Sequence, residues 1–325
     1  MSISQQVDEL LTGLEAGNRS TIARAITLVE STRATDRVAA AQLLDAISET
    51  AKDSVRVGIS GVPGVGKSTF IDSLGMHLVA EGHQVAVLAV DPSSVRSGGS
   101  VLGDKTRMER LSGCEAAFIR PSPNAGTLGG VTRSTRAAMS VLEAAGYDTI
   151  LVETVGVGQS EVAVSGMVDS FLLLALARTG DQLQGIKRGI LELVDVIAVN
   201  KADGDHAPEA RTAARELSGA LRLFSYDDPD AWKVPVLTCS GLEGTGIPEV
   251  WQALVEHRGK LENSGQLQEL RGEQAAVWLA EEIEQRLVQD FYQRPAVAEE
   301  LPQLQERVRR GDLSVLAAVE QLLDK

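Results

Sequence analysis

Residues 55–69 read Val-Arg-Val-Gly-Ile-Ser-Gly-Val-Pro-Gly-Val-Gly-Lys-Ser-Thr, and their order decides the fold. The apolar run Val55–Ser60 leads into Gly61-Val62-Pro63-Gly64-Val65-Gly66-Lys67-Ser68, which fits GxxxxGK[ST] at every fixed position. Phe70, Leu74 and Leu78 then recur at helical spacing. Strand, glycine-rich turn and helix in that order form the context in which this motif holds phosphate. The glycines let backbone N–H groups curl toward an anion, and the positive end of the helix dipole adds to the attraction. Lys67 is expected to reach the β- and γ-phosphates of a nucleotide, with the Ser68 hydroxyl on Mg²⁺. Gly61, Gly64, Val65, Gly66, Lys67, Ser68 and Thr69 are therefore the candidate phosphate-binding residues.

Outward from this loop, short apolar runs alternate with amphipathic stretches. The runs are Val55–Ser60, Val85–Val90, Ala117–Ile119, Thr149–Glu153, Ser170–Ala175, Asp195–Asn200 and Val234–Cys239. Such alternation implies an α/β fold, a P-loop NTPase domain with a mostly parallel central sheet and helices on both faces. Ligands of such sheets sit at the carboxyl ends of the strands.

The polar residues at those ends carry the chemistry. Asn200-Lys201-Ala202-Asp203 matches NKxD. An Asp carboxylate only accepts hydrogen bonds, so Asp203 can take the N1–H and exocyclic amine of guanine, a pair that adenine lacks. Asn200 and the stem of Lys201 would brace the base and the phosphate loop. Ser240-Gly241-Leu242 ends a later strand, where a short backbone loop would meet guanine O6; Gly241-Leu242 stands where Ala-Lys is commoner. Glu153 closes the strand 149–153 and begins ExxG, so it is a candidate for Mg²⁺ and catalysis, with the Gly156 amide on the γ-phosphate. Gly156 through Glu161 would form a switch. Asp91 closes another strand, and Asp104 lies in the polar loop Gly103-Asp104-Lys105-Thr106. Hard Mg²⁺ prefers oxygen ligands, so Ser68, Asp91, Asp104 and Glu153 are the candidate metal set. Lys67, Glu153 and Asp104 are the candidate catalytic residues. The loops around 98–108 and 178–187 also read as ordinary surface loops. Val157, not Gln, follows Gly156, so hydrolysis is expected to be slow.

The chain has 325 residues, 43% hydrophobic but only 3% aromatic, which suits a core of Ala, Val, Leu and Ile. A net charge of −14 offers no basic field for nucleic acid or anionic membrane. Cys114 and Cys239 lack metal-ligand spacing and read as buried reduced thiols. The polar start MSISQQVDELL does not read as a signal peptide, and no run approaches the ~18 apolar residues of a membrane span, so a cytoplasmic protein is expected.

Three segments are expected: a helical extension over 1–52, the nucleotide-binding domain over 53–258 and a C-terminal helical arm over 259–325. In the first, Val7, Leu10, Leu11 and Leu14, then Ile22, Ile26 and Val29, then Val38, Leu43, Leu44 and Ile47 recur at helical spacing, with Asp36 as a cap for the third helix. It reads as packed on the main domain or as a docking surface for a partner. In the last, 266–293 reads as one helix ended by Pro295, and a final helical stretch follows from Leu301 through Leu323. That arm reads as a lid or an oligomerisation device.

The residues just quoted resemble the methylmalonyl-CoA mutase-associated GTPases, the MeaB/ArgK family. The matching segments are GVPGVGKST at 61–69, DPSS at 91–94, SGGSVLGDKTRM at 97–108, ETVGVGQSE at 153–161, LQGIKRGI at 183–190 and NKADG at 200–204, with AGNRSTIARAITLVES at 16–31. The resemblance implies a homodimer joined by the C-terminal helices. It implies GTP or GDP as bound nucleotide, and GTP-dependent escort of an adenosylcobalamin-dependent methylmalonyl-CoA mutase, gating its cofactor loading and protecting or reactivating it. It makes 178–188 a further, partner-responsive switch, in which Gln182 replaces the family's usual Glu. Two other readings compete: a metallochaperone GTPase, for which the four scattered histidines give little support, and a small-molecule kinase, against which Asp203 argues. An adaptor with a dead nucleotide site is disfavoured by the intact Lys67, Ser68, Asp91 and Glu153.

Overall fold

The computed structural model describes residues 2–31, 33–49, 52–90, 108–121, 128–154, 159–177, 188–222 and 231–324. Seven strands form one sheet: β1 (Val55–Gly61), β2 (Val85–Val90), β3 (Ala117–Arg120), β4 (Thr149–Thr154), β5 (Ser170–Leu176), β6 (Val196–Asn200) and β7 (Val236–Thr238). Their order is β3-β2-β4-β1-β5-β6-β7, and every pairing is parallel. The apolar runs of the sequence and these strands coincide to within two residues at each end. β1, β2, β4, β5 and β6 are buried along most or all of their length, which is why they read as continuous apolar runs rather than alternations.

Helix α4 (Lys67–Ala80) follows the glycine-rich turn and buries Phe70, Ile71, Leu74 and Leu78 completely against Val57, Ile59 and Leu172 of the sheet. Full burial of side chains of this size stabilises by about 1.5–3 kcal/mol each. The short α5 (Glu109–Ser112), α6 (Leu128–Ala144), α7 (Gln159–Ser165), the short α8 (Arg188–Leu191), α9 (Ala207–Arg222) and α10 (Ile247–Asn263) complete the layers.

Before the sheet come α1 (Ile3–Glu15), α2 (Arg19–Glu30) and α3 (Ala34–Ser48). Ser2 and Gln5 form a reciprocal capping box on α1, and the Asn18 side chain accepts from Ser20 and Thr21 at the start of α2. These helices pack on one another and on α6. Asp36 does not cap α3. Its N-cap is Arg33, and Asp36 sits in the first turn, where its Oδ2 accepts from the Ser31 hydroxyl at 2.6 Å.

The chain separates into two compact units, Met1–Arg271 and Gly272–Lys325. The helix α11 (Gln266–Tyr292) runs from one into the other. Within the second unit, the expected last helical stretch is two helices, α12 (Pro295–Arg310) and α13 (Val315–Leu323). Pro295 opens α12 instead of ending α11. Gly311, at φ 80°, closes α12, and the Ser314 hydroxyl caps α13. Val297, Leu304, Ala318 and Leu322 form this unit's own small core. Both cysteines are free thiols. Cys239 is buried as expected, whereas Cys114 is half-exposed, because it follows the turn that ends α5. No helix among the described residues is long and apolar enough to cross a membrane.

Candidate functional site

The glycine-rich turn leaves the carboxyl end of β1, a central strand between β4 and β5. Gly66 enters α4 at φ 96°, and a Cβ there would lie 2.9 Å from the Asn200 side-chain nitrogen. Backbone conformation and space therefore both demand glycine. The Lys67 ammonium bends back to donate to the Gly61 carbonyl at 2.6 Å. Burial lowers its pKa, while the nearby Glu153 and Glu161 carboxylates pull it upward.

At the end of β4, Glu153 is only 4% exposed, and its Oε1 accepts from the Ser68 hydroxyl at 3.2 Å. Two of the four predicted metal-set residues are thus adjacent. Both offer oxygen, which fits a hard cation such as Mg²⁺. Asp91, Asp104 and Gly156 lie outside the described residues, as do the loops at 98–107 and 178–187. The described residues hold no group of three or more His, Cys, Asp or Glu side chains arranged for a metal. Thr154 donates to Ser60 Oγ at 2.9 Å. Glu161, read as the end of a switch, lies in α7 and is only 1% exposed, with Oε1 3.5 Å from the Ser60 hydroxyl.

The end of β6 joins this loop to the rest of the site. Asn200 is 2% exposed; its Nδ2 donates to the Val65 carbonyl at 2.9 Å, and its Oδ1 accepts the Gly241 N–H at 2.9 Å. Lys201 takes φ 61°, the sole non-glycine positive φ among the described residues, turning the chain toward Asp203. The Ser240 hydroxyl donates to Asp203 Oδ1 at 2.9 Å and accepts the Glu243 N–H at 3.1 Å. Gly241 packs against α4 so closely that a Cβ would lie 3.0 Å from Phe70 Cα and N. That contact gives a physical reason for glycine where alanine is commoner. Burial pushes the Cys239 thiol up to about 12, so it acts as a packed neutral group beside Asn200.

The sequence matches the family described as Methylmalonyl Co-A mutase-associated GTPase MeaB over residues 22–296. The chain belongs to the MeaB family. It is 54% identical over 318 residues to the "Probable GTPase" of Mycobacterium tuberculosis, covering 98% of this chain and 94% of that one. It is 47% identical over 286 residues to the GTPase ArgK of Escherichia coli, covering 87% and 86%. The mouse protein named methylmalonic aciduria type A homolog, mitochondrial, is 45% identical over 327 residues, covering 98% and 79%. Among solved structures, that of a LAO/AO transport system kinase superposes with a TM-score of 0.73 at 38% identity, over 98% of this chain and 97% of that one.

Membership in the MeaB family makes this a GTPase of the P-loop fold. The sequence reading did not find Asp72, Ser73 and Arg110, whose hydrogen bonds tie α4 and α5 to Gly241. No spacing rule links residues so far apart along the chain.

Proposed function

We propose that this chain binds GTP with Mg²⁺, hydrolyses it slowly, and uses the nucleotide state to escort an adenosylcobalamin-dependent methylmalonyl-CoA mutase. The escort gates cofactor loading and protects or reactivates the mutase. One observation carries the nucleotide half of this reading. Asn200 joins the phosphate loop at Val65 and the 240–242 loop at Gly241 through two 2.9 Å hydrogen bonds. These bonds support the reading in which phosphate and base sites are held as one preorganised unit.

In this reading the backbone from Gly61 to Thr69, with Lys67, holds the phosphates, and the γ-phosphate meets Gly156. Lys201 flanks the base, and Asp203 accepts its N1–H and amine. The Ser240 hydroxyl, already bound to Asp203 Oδ1, holds that carboxylate in place. Ser68 and Glu153, with Asp91 and Asp104, would supply the oxygen ligands for Mg²⁺, which would contribute charge neutralisation at the phosphate oxygens. Lys67 supplies the fixed positive charge of the protein itself, and Glu153 and Asp104 complete the catalytic set. Val157, not a water-positioning glutamine, follows Gly156 in the sequence, so turnover without a partner is slow in this reading.

The mutase half is supported by the family's description and by the mouse relative's name. A homodimer joined through the C-terminal helices fits the second unit, which exposes Leu279 at 62%, Leu287 at 66% and Leu316 at 79%. A LAO/AO transport system kinase, as the similar structure is named, would imply ATP, yet adenine offers no donor pair to Asp203.

Steady-state turnover of GTP and ATP, with and without the mutase from the same organism, tests both halves. Slow GTP turnover that the mutase accelerates, with ATP left unused and Lys67→Ala inactive, is expected. Unchanged turnover with no co-elution in any nucleotide state would remove the mutase and leave the GTPase.

A further inference from the structure

Arg110 stands in α5, two residues beyond Met108, which is buried in the core. Its side chain is 56% exposed, yet it is held at two points on α4. Arg110 Nε donates to Asp72 Oδ2 at 2.6 Å, and Nη2 donates to Ser73 Oγ at 2.7 Å. Asp72 Oδ1 accepts the Leu111 N–H at 2.9 Å, so the carboxylate clasps both backbone and side chain of α5.

The Ser73 hydroxyl then donates to the Gly241 carbonyl at 2.6 Å. The direction of this relay is fixed by chemistry. A guanidinium only donates, a carbonyl only accepts, and a hydroxyl has one hydrogen. Arg110 therefore commits the single Ser73 proton to Gly241. In a trans peptide the carbonyl and the next N–H point opposite ways. No peptide among the described residues is cis, so pinning the Gly241 carbonyl to α4 aims the Leu242 N–H away from α4. The neighbouring amides are already committed, Gly241 N–H to Asn200 and Glu243 N–H to Ser240. Leu242 itself is 75% exposed.

We propose that Arg110 is a positioning residue for base recognition, acting through Ser73 to fix the Gly241 carbonyl so that the Leu242 N–H meets the O6 carbonyl of guanine. The inference rests on the guanine-nucleotide reading above and adds a specificity element to it. The 240–242 loop is thereby tied to α5 as well as to α4.

The test uses the full chain and four ligands: GDP, 6-thio-GDP, IDP and ADP, titrated calorimetrically. Sulfur at position 6 is a weaker acceptor than oxygen, whereas IDP keeps O6 and loses the amine that Asp203 would accept. Arg110→Ala and, independently, Ser73→Ala are expected to weaken GDP about three- to tenfold, the loss of roughly one hydrogen bond. 6-thio-GDP should change less than about twofold, and the GDP-to-IDP ratio should stay at its wild-type value. Parallel losses for GDP and 6-thio-GDP, or no loss for either, would overturn the inference and leave Arg110 a structural tie. A wild-type chain that binds GDP no better than ADP would overturn the guanine reading itself, a result distinct from either of these. Ser73→Ala keeps the question answerable if Arg110→Ala does not fold.

Discussion

Asn200 Nδ2 lies 2.9 Å from the Val65 carbonyl, so the end of β6 directly holds the glycine-rich turn between β1 and α4. Asn200→Ala would leave that buried carbonyl and the Gly241 N–H unsatisfied, at about 1–3 kcal/mol each. The expected outcome is a lower melting temperature together with a GDP affinity reduced at least tenfold. A variant with wild-type GDP affinity would show that the two loops are not coupled through this side chain.

The parallel sheet was legible because β1, β2, β4, β5 and β6 are buried on both faces and appear as unbroken apolar runs between glycine and acid punctuation. The turn between β1 and α4 was legible because its signal is local, with every fixed position of the motif inside Gly61–Ser68. The boundary between α12 and α13 was not read, although Gly311 and Ser314 carried the signal; apolar periodicity was followed across them. Asp36 was misread because an acid near a helix start serves either as cap or in the first turn. The relay from Arg110 to Gly241 and the cluster around His257 were not legible, since partners 37 to 168 residues apart meet only after the sheet assembles.

Gly241→Ala restores the commoner residue, yet it should weaken the site. The new Cβ would press on the α4 backbone at Phe70, 3.0 Å away, and backbone cannot yield as a side chain can. A stability loss of about 1–3 kcal/mol is expected, with weaker GDP binding. Urea unfolding and calorimetry check it, and a neutral substitution would contradict the packing argument.

A buried cluster at the opposite end of the sheet predicts a pH effect. Ser170 Oγ and His257 Nδ1 are 2.8 Å apart, and His257 Nε2 is 3.2 Å from Asp195 Oδ1. Burial pushes Asp195 up to about 7 against the Phe171 N–H, which pulls it down. Burial pushes His257 down to about 4, opposed by the Asp169 carboxylate and reinforced by Lys260. Folded, the pair holds one proton between about pH 4 and 7. Unfolded, the histidine alone holds one between roughly 3.9 and 6.5. The proton count matches, so the pair contributes no slope to stability over that window. In His257→Gln, Asp195 alone keeps its raised pKa, and the folded state then binds the extra proton. Stability relative to wild type should fall as pH rises from 4 to 7, by at most about 1.4 kcal/mol per pH unit. Chemical denaturation of both proteins at pH 5 and pH 7 measures it, and a pH-independent difference would contradict it.

The central claim, that Asp203 reads guanine at the end of a P-loop GTPase site, is tested most directly by Asp203→Asn. Asparagine keeps an acceptor for the Ser240 hydroxyl and for N1–H, but its NH₂ now meets the 2-amino group of guanine donor to donor. Xanthine presents a carbonyl there instead. Turnover of GTP and XTP by wild type and variant is the measurement. The account predicts a reversal, with GTP preferred by wild type and XTP by the variant, and a change of about a hundredfold or more in their ratio. An unchanged preference for GTP in the variant would contradict it, placing base recognition elsewhere in the chain.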